Sequence, residues 1–458
     1  MAKKSGGFAS KIGFVLAAAG SAVGLGNIWR FPYLTAKYGG GLFLIVYLVF
    51  AVTFGFTLMV TEISIGRKTG KSVINAYREV DKRFSFLGII AALIPALILP
   101  YYCVIGGWVL RYFTSFITGG GADLANKTYG ADNVPYFSHF ISQVGQPSVF
   151  FIIFVILTAS VVVMGVEKGI EKVSKFLMPL LLVLIVGISI YTITLKGAGQ
   201  GLKYYLIPDF ERITVEKFFL TIPAAVGQLF YSMSLAMGIM VTYGSYMRRE
   251  DSIETSVRQI EIFDTLVAFL SGLIIVPAVI IFSNGDEDAL NAGPGLMFIT
   301  LPKVFDSMPM GHFIGTVFFV LVALAALTSA ISLMETVTAV VMEKFGLSRA
   351  KSCTAVIVLT LVLGMLSVLG YSAWSDVTIF KMQMLDFFDF ITNNLMMPIL
   401  SLLSCILIGY IVKTKYIEDE VINETHQFRS KRLYRIMIKV FCPAFMVLIL
   451  LTPFIFKI

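Results

Sequence analysis

Charge is scarce in this chain. Only 14% of its 458 residues are Asp, Glu, Lys or Arg, against about 25% in an ordinary soluble domain. So few charged groups cannot cover a water-exposed surface of this size, which excludes a soluble globular protein. Cysteine is limited to Cys103, Cys353, Cys405 and Cys442, each in or beside an apolar run. No long loop holds a pair, so no disulfide is expected. The histidines are His139, His312 and His426, and their spacing suits no metal centre. There is no nucleophile–base pair and no phosphate-binding glycine loop, which argues against an enzyme.

What is present is apolar. Hydrophobic residues make up 57% of the chain and the mean hydropathy is +0.86. A bilayer core about 30 Å thick needs roughly 20 apolar residues per helical span. About eleven such runs are expected as spans, at 11–36, 41–66, 87–116, 148–165, 173–195, 217–245, 256–283, 313–343, 353–371, 383–412 and 434–456. Closed barrels also satisfy the backbone in lipid, but they need short alternating strands, and these runs are long and continuously apolar. The reading is an all-α integral membrane protein. The segment after Lys11 contains Asn27 and Arg30 and lacks a cleavage pattern, so it reads as the first span rather than a signal peptide.

The net charge of +8 follows from topology, and no nucleic-acid partner is expected. Basic residues cluster in alternate loops: Lys3, Lys4 and Lys11; Arg67 to Arg83; Lys168 to Lys175; Arg248 to Arg258; Lys344 to Lys351; Lys413 to Arg435. Positive loops face the cytoplasm. The expectation is a multi-pass protein of the cell inner (plasma) membrane, N-terminus cytoplasmic and C-terminus outside.

Two spans carry polar, glycine-rich stretches. The first reads Gly20-Ser21-Ala22-Val23-Gly24-Leu25-Gly26-Asn27, and the sixth runs from Gly227 to Gly238. Glycine weakens a helix by about 1 kcal/mol relative to alanine. An unwound turn frees carbonyls for a hard cation and N–H groups for a carboxylate. Close packing through small residues is the alternative. Interruption at the start of each of two five-span blocks favours an inverted-repeat transporter. The expected organisation is a single domain, 1–458, with one repeat at 1–200, the second at 201–415 and a peripheral eleventh span at 416–458.

The run Gly20-Ser-Ala-Val-Gly-Leu-Gly-Asn-Ile-Trp-Arg-Phe-Pro32, followed by Gly39-Gly40-Gly41, resembles the opening of the neurotransmitter:sodium symporters. Further similar stretches are Glu62 with Gly66-Arg67, Tyr101-Tyr102, Gly169-Ile-Glu-Lys172, Pro208-Asp-Phe210, Gln228 to Tyr246, Phe298 to Pro302, Leu327-Thr328-Ser329 and Asp389. The chain looks like a bacterial amino-acid member similar to the leucine transporter. The resemblance implies a five-plus-five inverted repeat with broken helices 1 and 6, and symport of a hydrophobic amino acid with two sodium ions.

By resemblance, one sodium takes the Ala22 carbonyl, Asn27, Ser232, Asp264 and the substrate carboxylate. The other takes the carbonyls of Gly20, Val23 and Ala325 and the hydroxyls of Thr328 and Ser329. Oxygen donors suit a hard cation. Members that carry biogenic amines have aspartate where this chain has Gly24, so a substrate carboxylate is expected there. It would meet the N–H groups at Leu25 and Gly26 and the Tyr102 hydroxyl. The amino group would meet carbonyls near Ala22 and Tyr231, with Ser21 and Ser234 nearby. The side-chain pocket would be Ile98, Tyr102, Tyr231, Met237, Ser329 and Leu333. Unbranched Met237 is adaptable and suits bulky aliphatic or aromatic side chains.

Arg30 and Asp389 resemble the family's outer gate, and Tyr246 and Glu343 lie where the inner gate is expected. Ser5 stands in place of the family's inner-gate arginine, with Lys3 or Lys4 as substitutes. Glu62 is expected to support the unwound turn, and Glu335 to make a structural hydrogen bond. Gly169 and Pro179 weaken span 5 and resemble a family device that admits water to the second sodium. Chloride-dependent members bind chloride near the positions of Tyr47, Gln228, Ser232 and Ala268. Ala268 offers no donor, and Asp264, one turn away, is expected to supply the negative charge instead. Transport would then be chloride-independent, with a proton neutralising the empty carrier. The rivals are a channel, a sensor, and a proton-coupled or exchange-only transporter of the same fold.

Overall fold

The computed structural model describes residues 7–208, 215–283, 290, 294–422 and 427–456. Lys3, Lys4, Ser5, Asp209, Phe210 and His426 lie outside the described residues.

The first span is two helices. α1 (Lys11–Ala22) starts where the Ser10 hydroxyl accepts the Gly13 N–H at 3.0 Å. It stops because Val23 turns extended, with φ −74° and ψ 99°. α2 (Gly26–Lys37) resumes at 53° to it. The glycines at 24 and 26 make that break inexpensive. Continuous spans follow: α3 (Gly41–Thr69), α4 (Lys82–Ile117), α5 (Gly145–Val163) and α6 (Val166–Ile193).

The sixth span is broken as well. α7 (Val215–Ser232) ends before a non-helical stretch, and α8 (Ile239–Tyr246) continues from it. Then come α9 (Ile253–Phe282), α10 (Gly311–Phe345), α11 (Arg349–Tyr371), α12 (Met384–Ile411) and α13 (Lys431–Thr452). Among the described residues, nine helices are long and apolar enough to cross a membrane, and the bent α1–α2 pair makes ten. The expected span at 217–245 is the exception. It is broken into α7 and α8, as expected for a second interrupted span, and stands beside the ten as the eleventh.

α10 packs along α4 and α8 along α3, and these form the centre with α1. In α10, 72% of the most apolar window is buried, against 22% in α13. α13 is therefore peripheral, and its outer residues Ile436, Val440 and Phe441 are exposed. Between α4 and α5 the chain forms two short helices, Gly121–Asn126 and Tyr136–Ile141. Between them lies a small hairpin of β1 (Thr128–Tyr129) and β2 (Val134–Pro135). The loops rich in Lys and Arg gather at the end where α1 begins, here termed the basic face. The helix Lys415–Val421 docks there. Hydrogen bonds from Arg435 to Glu418 at 2.6 and 2.7 Å hold that carboxyl down to about 2.

Candidate substrate and ion sites at the broken helices

The two breaks face each other. In the sixth span Ser234, Ala236 and Gly238 have φ of +52°, +57° and +69°. A non-glycine residue in that region costs of order 1–3 kcal/mol, so the turn needs external support. Glu62 of α3 provides it, accepting the Ala236 N–H at 2.7 Å. The Ser234 hydroxyl donates to the Ser21 carbonyl at 2.9 Å, tying the second break to the first. Ser21 Oγ also lies 2.6 Å from Ser332 Oγ.

One oxygen cluster lies beside α2. Asn27 Nδ2 is 2.7 Å from Asp264 Oδ1 and 3.0 Å from Ser232 Oγ. Ser232 Oγ donates to Asp264 Oδ1 at 2.6 Å, and Tyr47 OH donates to Asp264 Oδ2 at 3.1 Å. Asn27, Ser232 and Asp264 are fully buried. A buried carboxylate needs this density of donors to stay ionised. The Asn27 side-chain oxygen accepts from Gly24 N–H at 3.1 Å, which shapes the break.

A second cluster joins α1 to α10. Ser329 Oγ lies 3.5, 3.1 and 3.3 Å from the carbonyls of Gly20, Ser21 and Val23. Thr328 Oγ1 is 3.1 Å from the Ala325 carbonyl and 3.2 Å from that of Leu324. Thr328 therefore turns back on its own helix, as hydroxyls in spans commonly do. Ser329 instead crosses between helices. The structure thus brings Gly20, Val23, Ala325, Thr328 and Ser329 to one place. All donors there are oxygen, as a sodium ion requires.

Between the clusters lies a cavity of about 20 Å³, lined by Ser21, Gly24, Ile98, Tyr102, Tyr231, Ser234, Met237, Ile239, Ser329 and Leu333. Of the substrate residues expected from sequence, Ala22, Leu25, Gly26 and Ser232 do not line it, and Ile239 was missed. Leu25 N–H donates to Tyr102 OH at 3.3 Å, which places that hydroxyl at the start of α2. Toward the other face, a cavity of about 420 Å³ opens above Tyr231.

The gate residues expected from sequence have other partners among the described residues. Arg30 and Asp389 both line the outer cavity, but among the described residues they form no salt bridge. Arg30 sits over the Tyr231 ring at 5.5 Å, and Asp389 accepts from Tyr101 at 3.1 Å and Asn393 at 2.5 Å. Glu343 accepts from Ser72 N–H at 2.5 Å and Asn75 Nδ2 at 2.6 Å. These contacts hold it at the start of the helix Val73–Val80, and the residues expected opposite it, Lys3, Lys4 and Ser5, lie outside the described residues. Tyr246 donates instead to Glu335 at 2.8 Å, and Glu335 pairs with Arg349, a residue the sequence reading missed. No motif flags Arg349, because its partner lies on the neighbouring helix.

Two helices broken side by side, with oxygen clusters at the breaks and a cavity between them, define a secondary transporter. The comparisons agree. The chain matches the Sodium:neurotransmitter symporter family over residues 5–121 and 122–457. It is 36% identical over 419 residues to an uncharacterized sodium-dependent transporter of Bacillus subtilis (strain 168), covering 91% of this chain and 89% of that one. It is 30% identical over 367 residues to the human sodium- and chloride-dependent taurine transporter, covering 70% of this chain and 58% of the relative. Its fold is similar to the crystal structure of MhsT in complex with L-phenylalanine, with a TM-score of 0.87 and 35% identity, covering 98% of this chain and 99% of that chain. The chain belongs to the sodium:neurotransmitter symporter family. It is a sodium-dependent membrane transporter and not an enzyme.

Proposed function

We propose that the protein imports hydrophobic amino acids, bulky aliphatic or aromatic, coupled to two sodium ions and independent of chloride. The observation that carries the reading is the Gly24 backbone, which faces Tyr102 and Ser329 with no side chain of its own. A Cβ there would lie 2.6 Å from Ser329 Oγ and 3.0 Å from Tyr102 OH. No acidic side chain stands at this point, so a carboxylate fits against Tyr102 and the start of α2. The apolar wall of Ile98, Met237 and Leu333 takes the side chain. Similarity to a structure holding L-phenylalanine supports this class of substrate. The Asp264 and Ser329 clusters are assigned to one sodium each.

The basic face is assigned to the cytoplasm, which places the protein in the inner (plasma) membrane with the N-terminus inside and the C-terminus outside. The pairing of the breaks supports repeats at 1–200 and 201–415, with 416–458 peripheral.

In proteoliposomes, uptake of radiolabelled L-phenylalanine is expected only with an inward sodium gradient. Equal uptake with potassium or choline would defeat the reading. Thr328→Val should raise the sodium concentration required, because a ligand is lost. In a competition panel, leucine, tyrosine and tryptophan should displace the label. Alanine and glycine should compete poorly, and tyramine and tryptamine, which lack the carboxylate, should not compete.

A further inference from the structure

At the basic face the start of α1 is clasped by a carboxylate from α6. Glu171 Oε2 accepts the Ala9 N–H at 2.7 Å, and Oε1 accepts the Ser10 hydroxyl at 2.8 Å. Lys175, one turn further along α6, donates to Oε1 at 2.6 Å. Glu171 is only 2% exposed. Ser10 is at the same time the cap of α1, so one hydroxyl starts the helix and joins it to α6. Gly13 belongs to the same arrangement. A Cβ there would lie 2.0 Å from Glu171 Oε1, so α1 has no side chain where the carboxylate crosses it. The carboxylate also lies beside the start of a helix, where negative charge is favoured, although the one N–H it accepts, that of Ala9, precedes the cap.

We propose that Glu171 is the latch that holds α1 closed against α6 at this face, and that Lys175 is the group that permits its release. This goes beyond the symport reading but takes its orientation from it. Glu343, the carboxylate expected at the inner gate, bonds among the described residues to Ser72 and Asn75. When α1 swings away, Ala9 and Ser10 leave together and the carboxylate loses both donors. An uncompensated buried charge is strongly unfavourable. Lys175 sits on the same helix four residues on and travels with Glu171, so their ion pair survives opening. Arg248 is engaged with Asp251 at 3.0 and 3.1 Å and does not bond to Glu171. The latch sits at the end of the wide turn Val166–Glu171, which follows Gly165 at φ +94°. The far end of α1 carries the Gly20 and Val23 carbonyls. Release of the latch therefore frees the α1 side of the Ser329 cluster as α6 loosens.

The opposing roles make the test directional. Tyr243 is buried behind Phe8, with ring centroids 5.6 Å apart. The substitution Tyr243→Cys, made with the four native cysteines replaced by serine, reports lifting of the α1 start. Modification of the introduced thiol by a membrane-impermeant maleimide is measured in inside-out vesicles in sodium. Glu171→Ala and Gly13→Ala should each raise the rate about tenfold, the equivalent of one charge-assisted hydrogen bond. Lys175→Met should lower it. An unchanged rate in Glu171→Ala, or a rise in Lys175→Met, would overturn the latch. A merely structural role would move all three variants in the same direction. If Glu171→Ala does not accumulate, Gly13→Ala and Lys175→Met decide by the same criterion. Right-side-out vesicles read the orientation separately. Sodium dependence of uptake reads the symport assignment, so failure of either is distinguishable from failure of the latch.

Discussion

Replacing Gly24 with alanine is expected to remove most binding of L-phenylalanine while leaving the protein folded. The added Cβ would lie 2.6 Å from Ser329 Oγ and 3.0 Å from Tyr102 OH. Neither hydroxyl can retreat without loss. Ser329 bridges to the carbonyls of Ser21 and Val23 at 3.1 and 3.3 Å, and Tyr102 meets Leu25 N–H at 3.3 Å. Overpacking of this kind costs about 1–3 kcal/mol, roughly 5- to 150-fold in affinity. Gly227→Ala is the control, because a Cβ there meets nothing within 4 Å. Gly24→Asp should do more. Its carboxylate would occupy the place assigned to the substrate's own, so amino acids should be rejected and tryptamine should begin to compete. Equilibrium binding of the radiolabelled amino acid measures all three variants. Wild-type affinity in Gly24→Ala would mean that the substrate lies elsewhere, with the cavity above Tyr231 the next place to look.

The breaks were legible in the sequence because their causes are local. Glycines at 20, 24 and 26 weaken one span, and the stretch ending at Gly238 weakens another. The oxygen donors Asn27, Ser232, Asp264 and Ser329 were legible through resemblance alone. As isolated hydroxyls or amides in apolar spans they carry no signal. Thr328 shows why, since its hydroxyl bonds to its own helix as any threonine in a span would. The contacts that were not legible join distant positions through the backbone. Glu171 and Ala9 are 162 residues apart, and a main-chain N–H has no sequence signature. Glu343 found its donors at Ser72 and Asn75 for a similar reason, since the short helix Val73–Val80 presents a free N-terminus beside it. Arg30 and Asp389 share a cavity without pairing because Tyr101 and Asn393 satisfy the carboxylate. Sequence placed these two residues together but not their partners.

Uptake by the parent chain is expected to be the same in gluconate as in chloride medium, and Asp264 is the proposed reason. The proposed load of two sodium ions and one zwitterion would leave excess positive charge in a site of low dielectric. At an effective dielectric of about 20, a unit charge 4 Å away contributes about 4 kcal/mol. One carboxylate can supply that charge. Asp264 is placed for it, fully buried and bonded to Ser232, Asn27 and Tyr47. Tyr47 and Ser232 are two of the positions assigned by resemblance to chloride, and both already turn toward the carboxylate. Ala268, one turn along α9, has no donor to replace it, and Gln228 donates to the Gly26 carbonyl at 2.8 Å. Asp264→Asn keeps an oxygen for sodium but loses the charge, so uptake should fall by about 100-fold or more in either medium. Adding Ala268→Ser restores a hydroxyl beside Tyr47 and Ser232. The double variant should recover part of the uptake in chloride and none in gluconate. Chloride-dependent uptake by the parent chain would end the proposal. So would full activity of Asp264→Asn in gluconate, because the site would then be tolerating the charge that Asp264 is proposed to balance.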